Sequence, residues 1–88
     1  MANHKIRIPD KKLKWPIKHN DSVTFIFDAN VNNFNVDHPE YFAPPVASGG
    51  FAKGNSIGPY KATVSGKNAV FTYDAQLAAD THTILIGN

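Results

Sequence analysis

Turn-forming residues cut this chain into pieces too short for a helix. Pro9-Asp10, His19-Asn20-Asp21, the Asp- and Asn-rich stretch at 28–33 and Ser65-Gly66-Lys67-Asn68 recur at short intervals, and 38–59 holds eight Pro or Gly in 22 residues. Pro lacks a donor, Gly and Asn take left-handed backbone, and Asp and Asn bond their own backbone, so each cluster ends a regular element. No run of about ten residues carries the 3.6-residue apolar repeat of a helix. What lies between the breaks alternates with period two instead. The densest piece is Ser22-Val23-Thr24-Phe25-Ile26-Phe27-Asp28: Val23, Phe25 and Phe27 share one face, Thr24 and Ile26 the other. Apolar side chains on both faces predict a central strand.

The remaining pieces read as further short strands. Ile6 and Ile8 alternate within 5–8. Leu13, Trp15 and Ile17 alternate with Lys14, Pro16 and Lys18, and Pro16, which cannot donate to a ladder, places that strand at an edge. Residues 28–33 read as a polar loop and 34–37 as a strand. The 38–59 stretch reads as a long loop, 60–64 and 69–73 as a hairpin around Gly66, 75–79 as a single helical turn, and 81–86 as the closing strand. About seven short strands predict an all-β fold, a seven-stranded Greek-key β-sandwich filling one domain over 1–88, with a long Pro/Gly-rich loop at about 38–59. The expected core is Ile6, Ile8, Leu13, Trp15, Ile17, Val23, Phe25, Phe27, Phe34, Val36, Val64, Phe71, Tyr73, Ile84 and Ile86.

Composition removes several chemistries. The chain has no cysteine, so disulfides, thiolate metal sites and thiol nucleophiles are excluded. No apolar run is long enough to span a membrane as a helix, and Met-Ala-Asn-His-Lys has no signal-peptide core. That sets a cytoplasmic default; a mature domain behind a new Met reads the same, so a secreted or periplasmic location stays open. The net charge of +2 divides unevenly, +5 over residues 1–20 and −3 over 21–88. The basic side chains Lys14 and Lys18 alternate with Trp15 rather than sharing its face, which suits a charged, edge-blunting row better than a nucleic-acid surface.

Three pieces resemble the cupredoxins, the blue-copper sandwich family. Trp15-Pro16-Ile17-Lys18-His19-Asn20-Asp21-Ser22-Val23-Thr24-Phe25 resembles that family's Pro-x-x-Ile-x-Val-x-x-Gly-Asp-x-Val-x-Phe entry strand, without its Gly and with different spacing. Asn33-Phe34-Asn35-Val36 is similar to its His-Asn-Val strand. Val70-Phe71-Thr72-Tyr73 and Thr83-Ile84-Leu85-Ile86 are similar to its last two strands. The resemblance implies a sandwich topology and no copper chemistry. Its metal ligands would fall at Phe34, Ala75, Leu77 or Ala78, and Asp80, and a type 1 site needs a thiolate and two imidazoles. An immunoglobulin-like sandwich is the rival topology, with the same strand count.

The functional expectations are accordingly modest. His4, His19, His38 and His82 share no ligand spacing, and no Gly-x-Ser-x-Gly elbow is present, so neither a metal, a cofactor nor an enzyme activity is expected. Asp28-Ala29-Asn30-Val31-Asn32 echoes a calcium loop, but Asn33 stands where Gly is needed and Pro39 where Glu is needed. If the 28–33 and 74–81 loops meet, Asp28, Asn30, Asn32, Asp74, Asp80 and His82 form a polar tip able to hold a weak cation or polar ligand. Tyr41, Phe42 and Phe51 in the long loop are the aromatic candidates: Phe42 and Phe51 to cap the core, Tyr41 to stand exposed. The preferred expectation is a non-enzymatic binding or accessory module using that loop; the alternative is a structural subunit that self-associates through edge strands.

Overall fold

The computed structural model describes residues 1–9, 12–75 and 79–88; of residues 75 and 79–81 it describes the backbone alone. The described residues form nine strands: β1 (Asn3–Ile8), β2 (Lys14–Lys18), β3 (Ser22–Phe27), β4 (Val31–Val36), β5 (Phe42–Ala43), β6 (Gly49–Phe51), β7 (Ser56–Ala62), β8 (Lys67–Ala75) and β9 (Ala79–Gly87). They form a four-stranded sheet, ordered β1-β3-β7-β5, and a five-stranded sheet, ordered β2-β9-β8-β4-β6. The two pack as an all-β sandwich. Among the described residues, no helix is long and apolar enough to cross a membrane.

Alternation builds the core as the sequence implies. Val23, Phe25 and Phe27 of β3 are buried, and Thr24 and Ile26 are only partly so. Ile6 and Ile8 sit beside them through a parallel β1–β3 pairing that sets Ile6 opposite Phe25. From the other sheet come Phe34 and Val36 of β4, Ala69, Phe71 and Tyr73 of β8, and Ile84 and Ile86 of β9. Phe25 meets Phe34 and Phe71 edge-on, at centroid distances of 5.0 and 5.4 Å. That geometry places the positive rim of one ring on the negative face of the next.

Several expectations need correction. Leu13 is 57% exposed rather than core, because β2 begins one residue later. Trp15 and Val64 are only half-buried, packed against the core from outside; Lys12 Nζ lies 4.3 Å from the Trp15 ring centroid. The 28–33 stretch is not all loop, since β4 starts at Val31, whose side chain is buried. A register shift between Asn32 and Asn35, with Asn33 at φ +57°, hides that start from any period-two reading. The 38–59 stretch is likewise not one loop. It contains a single 3-10 turn at Pro39–Tyr41, the two short strands β5 and β6, and the start of β7. The helical turn expected over 75–79 falls at 76–78 outside the described residues; Ala75 and Ala79 themselves are strand. Pro16 does lie on an edge strand, β2.

Asp21 ties the first three strands together. Its carboxylate accepts the Ala2 N–H (2.8 Å), His4 Nε2–H (3.0 Å) and the Lys18 N–H (3.0 Å). These donors, His4 first, hold the carboxyl well below the usual carboxylate range. A depressed folded pKa gives stability that is complete above the unfolded carboxylate value and is lost as pH falls below it. Asp21→Asn is therefore expected to lower the melting temperature at pH 7. The gap to the wild type should narrow as the pH drops below about 4, which melting curves at stepped pH will read directly.

Candidate functional site

The pairing of β4 with β6 brings two distant pieces of chain together. Val31 lies opposite Phe51 and Phe34 opposite Gly49. Here Asn30, Val31, Asn32, Gly50, Phe51 and Ala52 line a shallow concavity of about 460 Å³. Each lining residue is placed by a local cause. Asn30 ends the β3–β4 connection, and its side-chain oxygen accepts the Lys53 N–H at 2.9 Å, so its NH₂ is left as a donor. Asn32 sits at the register shift in β4 and is exposed. Gly50 leaves room beside it: a Cβ there would stand 3.6 Å from Asn32 Oδ1, an ordinary contact. Phe51 is half-buried. One face stacks on Phe27 at 4.6 Å and 12° between planes, and its edge meets Phe34.

The carboxylates nearest in sequence are already engaged. Asp28 pairs with Arg7 at 3.1 Å, and Asp74 Oδ2 accepts the Asn33 side-chain N–H at 2.8 Å. The lining itself holds no acid, base or hydroxyl nucleophile. Its chemistry is two primary amides beside an aromatic ring and small apolar groups.

The sequence candidates distribute as follows. Asn30, Asn32 and Phe51 meet in the concavity, while Asp28 and Asp74 are exposed in the ion pair and hydrogen bond just described. Asn32 and Asp74 are cross-strand partners, so the 28–33 and 74–75 segments do adjoin. The Asp80 side chain lies outside the described residues. His82 departs from the expected tip: the alternation that turns Ile84 and Ile86 inward turns His82 inward too, and it is fully buried. Its ring stacks on Phe71 and Tyr73, and its Nδ1–H donates to the Lys12 carbonyl at 2.8 Å. Its Nε2 is buried without a hydrogen-bond partner among the described residues.

The three aromatic candidates do not cluster. Phe42 pairs with Ala62 in the four-stranded sheet and is buried, a capping role. Phe51 belongs to the other sheet. Tyr41, expected to stand exposed, is half-buried and stacks on His38 at 4.5 Å; its carbonyl accepts the Thr63 N–H and hydroxyl. His38 in turn donates to Glu40 at 2.9 Å; the Glu40 carboxyl is held below its ordinary value first by its own backbone N–H and then by this bond. Val31, Gly50 and Ala52 went unread as site residues. The only sequence signal for them was Gly49-Gly50 immediately before Phe51, where a missing side chain lets another group approach.

Among the described residues, no three His, Asp or Glu side chains converge as a metal site. Comparison with protein-family models, curated proteins and solved structures found no match.

Proposed function

We propose that this protein is a non-enzymatic β-sandwich binding module whose ligand seat is the concavity between 30–32 and 50–52. The observation that carries this reading is the convergence there of two amide side chains and one partly buried aromatic ring, from segments about 20 residues apart in sequence. A lining without titratable or nucleophilic groups supports binding rather than turnover. The resemblance to cupredoxins enters as a proposal about the scaffold alone, since Phe34, at the place of a copper-binding His, is a core residue.

The edges argue against assembly through strand pairing. Each carries a feature that blunts pairing: Lys5 and Arg7 on β1, Pro16 between Lys14 and Lys18 on β2, two residues followed by Pro44-Pro45 at β5, and three residues at β6.

The test is a library of small neutral and charged compounds screened against ¹⁵N-labelled protein. Binding compounds are expected to shift the amides of 30–32 and 50–52 together, and to do so less in Asn30→Ala. Shifts scattered over the surface, or centred on His38 and Tyr41, would remove the concavity as the seat.

A further inference from the structure

The geometry points to a neutral, hydroxyl-rich ring, a pyranose unit of an oligosaccharide, as the ligand of the concavity. This rests on the reading of 30–32 and 50–52 as the binding seat. It goes further by naming the ligand class.

Charge comes first. Every side chain lining the concavity is uncharged, and Asp28 and Asp74 are occupied by Arg7 and Asn33. A charged ligand finds no ionic partner in the lining, and the neighbouring cation, Lys53, is exposed, where an ion pair contributes about 0–1 kcal/mol at most against the cost of lost hydration. The ligand is therefore neutral.

Hydrogen bonding comes second. The Lys53 N–H holds the Asn30 oxygen, which leaves the NH₂ of this exposed residue as a donor. The Asn32 amide makes no hydrogen bond to another described residue and so presents both its oxygen and its NH₂. A hydroxyl donates and accepts at once, so neighbouring hydroxyls on one ring match a primary amide in both directions.

The ring comes third. Phe51 has one face fixed on Phe27 and is partly, not fully, buried. Backed by the core, it is a rigid platform that loses little entropy when covered. A pyranose offers the matching shape: a face of C–H groups for the ring and a rim of hydroxyls for the amides. An extended peptide fits less well, because the adjoining edge offers only Gly49–Phe51 for backbone pairing.

The experiment titrates ¹⁵N-labelled protein with hexamers of glucose, N-acetylglucosamine, xylose and mannose, and separately with a neutral extended peptide. Four proteins are compared: wild type, Asn32→Ala, Phe51→Leu and Gly50→Ala. Leu keeps an apolar cover over Phe27 while removing the platform. Ala at 50 meets Asn32 at ordinary contact distance, so that fold is retained even if Phe51→Leu melts early.

At least one hexamer is expected to shift the 30–32 and 50–52 amides saturably. Asn32→Ala should weaken that binding about three- to tenfold, the loss of one hydrogen-bonding group. Phe51→Leu should abolish it, and Gly50→Ala should weaken it, because the added methyl occupies space in the concavity itself. If the peptide or other small compounds shift these amides and no hexamer does, the saccharide assignment is overturned while the seat stands. If no compound of any class shifts them, both are overturned. Hexamer shifts that survive unchanged in Phe51→Leu, or that map elsewhere, also overturn the assignment.

Discussion

Phe25→Ala is expected to lower the melting temperature by about 15–30 °C. Phe25 is fully buried on the central strand of its sheet and touches rings from three other strands: Phe34 on β4, Tyr60 on β7 and Phe71 on β8. Truncating such a ring removes its transfer free energy and leaves a cavity that the flanking rings cannot collapse into without losing their edge-on contacts. The loss is about 3–5 kcal/mol. A domain of this size holds about 5–10 kcal/mol in total, and each kcal/mol moves its midpoint by about 4–8 °C. The comparison that isolates burial is Leu13→Ala, an apolar truncation at an exposed position, expected to shift the midpoint by no more than a few degrees. Equal shifts in the two variants would mean that Ser22–Phe27 is not the centre of the core.

Gly58→Ala is expected to be comparably severe for a different reason. On β7, Ile57 pairs with Phe25 and Tyr60 with Val23, so Gly58 and Pro59 together oppose Thr24 alone. Gly58 takes up this bulge at φ +116°, and a Cβ there would stand 2.8 Å from the Val23 carbonyl oxygen and 3.1 Å from Thr24 Cα. Both are backbone atoms of the central strand and cannot swing aside. Backbone strain and forced separation of β3 from β7 together cost about 2–5 kcal/mol. Gly66 serves as the reference. It also has positive φ, +65°, but a Cβ there would meet nothing within 4 Å, so Gly66→Ala should cost only the conformational penalty, about 1–2 kcal/mol. Thermal or urea melts of both variants measure the difference, which is the contribution of close approach. Equal losses would mean that β3 and β7 can separate locally without cost.

How far the sequence reached depended on where alternation was unbroken. Ser22–Phe27 reads correctly because its alternation is unbroken and turn residues bracket it. Ile84 and Ile86 read correctly for the same reason, and the same pattern already placed His82 inward; its polarity suggested a tip instead. The start of β4 was illegible because the shift at Asn32 and Asn33 inserts a residue and resets the period. β5 and β6 were illegible because Pro44-Pro45 and Gly49-Gly50 mark breaks in any local reading, and only the partner strands reveal pairing. Leu13 was misplaced because alternation continues in the letters one residue past the strand. The concavity is the extreme case: Asn30, Asn32 and Phe51 each stood out alone, but their meeting depends on a β4–β6 pairing that no local pattern encodes.

The parallel pairing of β2 with β9, Trp15 opposite Ile84 and Ile17 opposite Ile86, has a kinetic consequence. A growing polypeptide leaves the ribosome with β2 already made, yet the only neighbour β2 has in its sheet among the described residues is the last of these strands to be synthesised. Until then Trp15 and Ile17 have no strand to lie against, and the proline and lysines of β2 guard that waiting segment from pairing with other chains. Joining such remote segments carries a loop-closure entropy that precedes any reward from contact. Folding of this small domain is thus expected on the slow, millisecond-to-second scale of non-local β proteins, with the β2 edge closing only after β9 has been made.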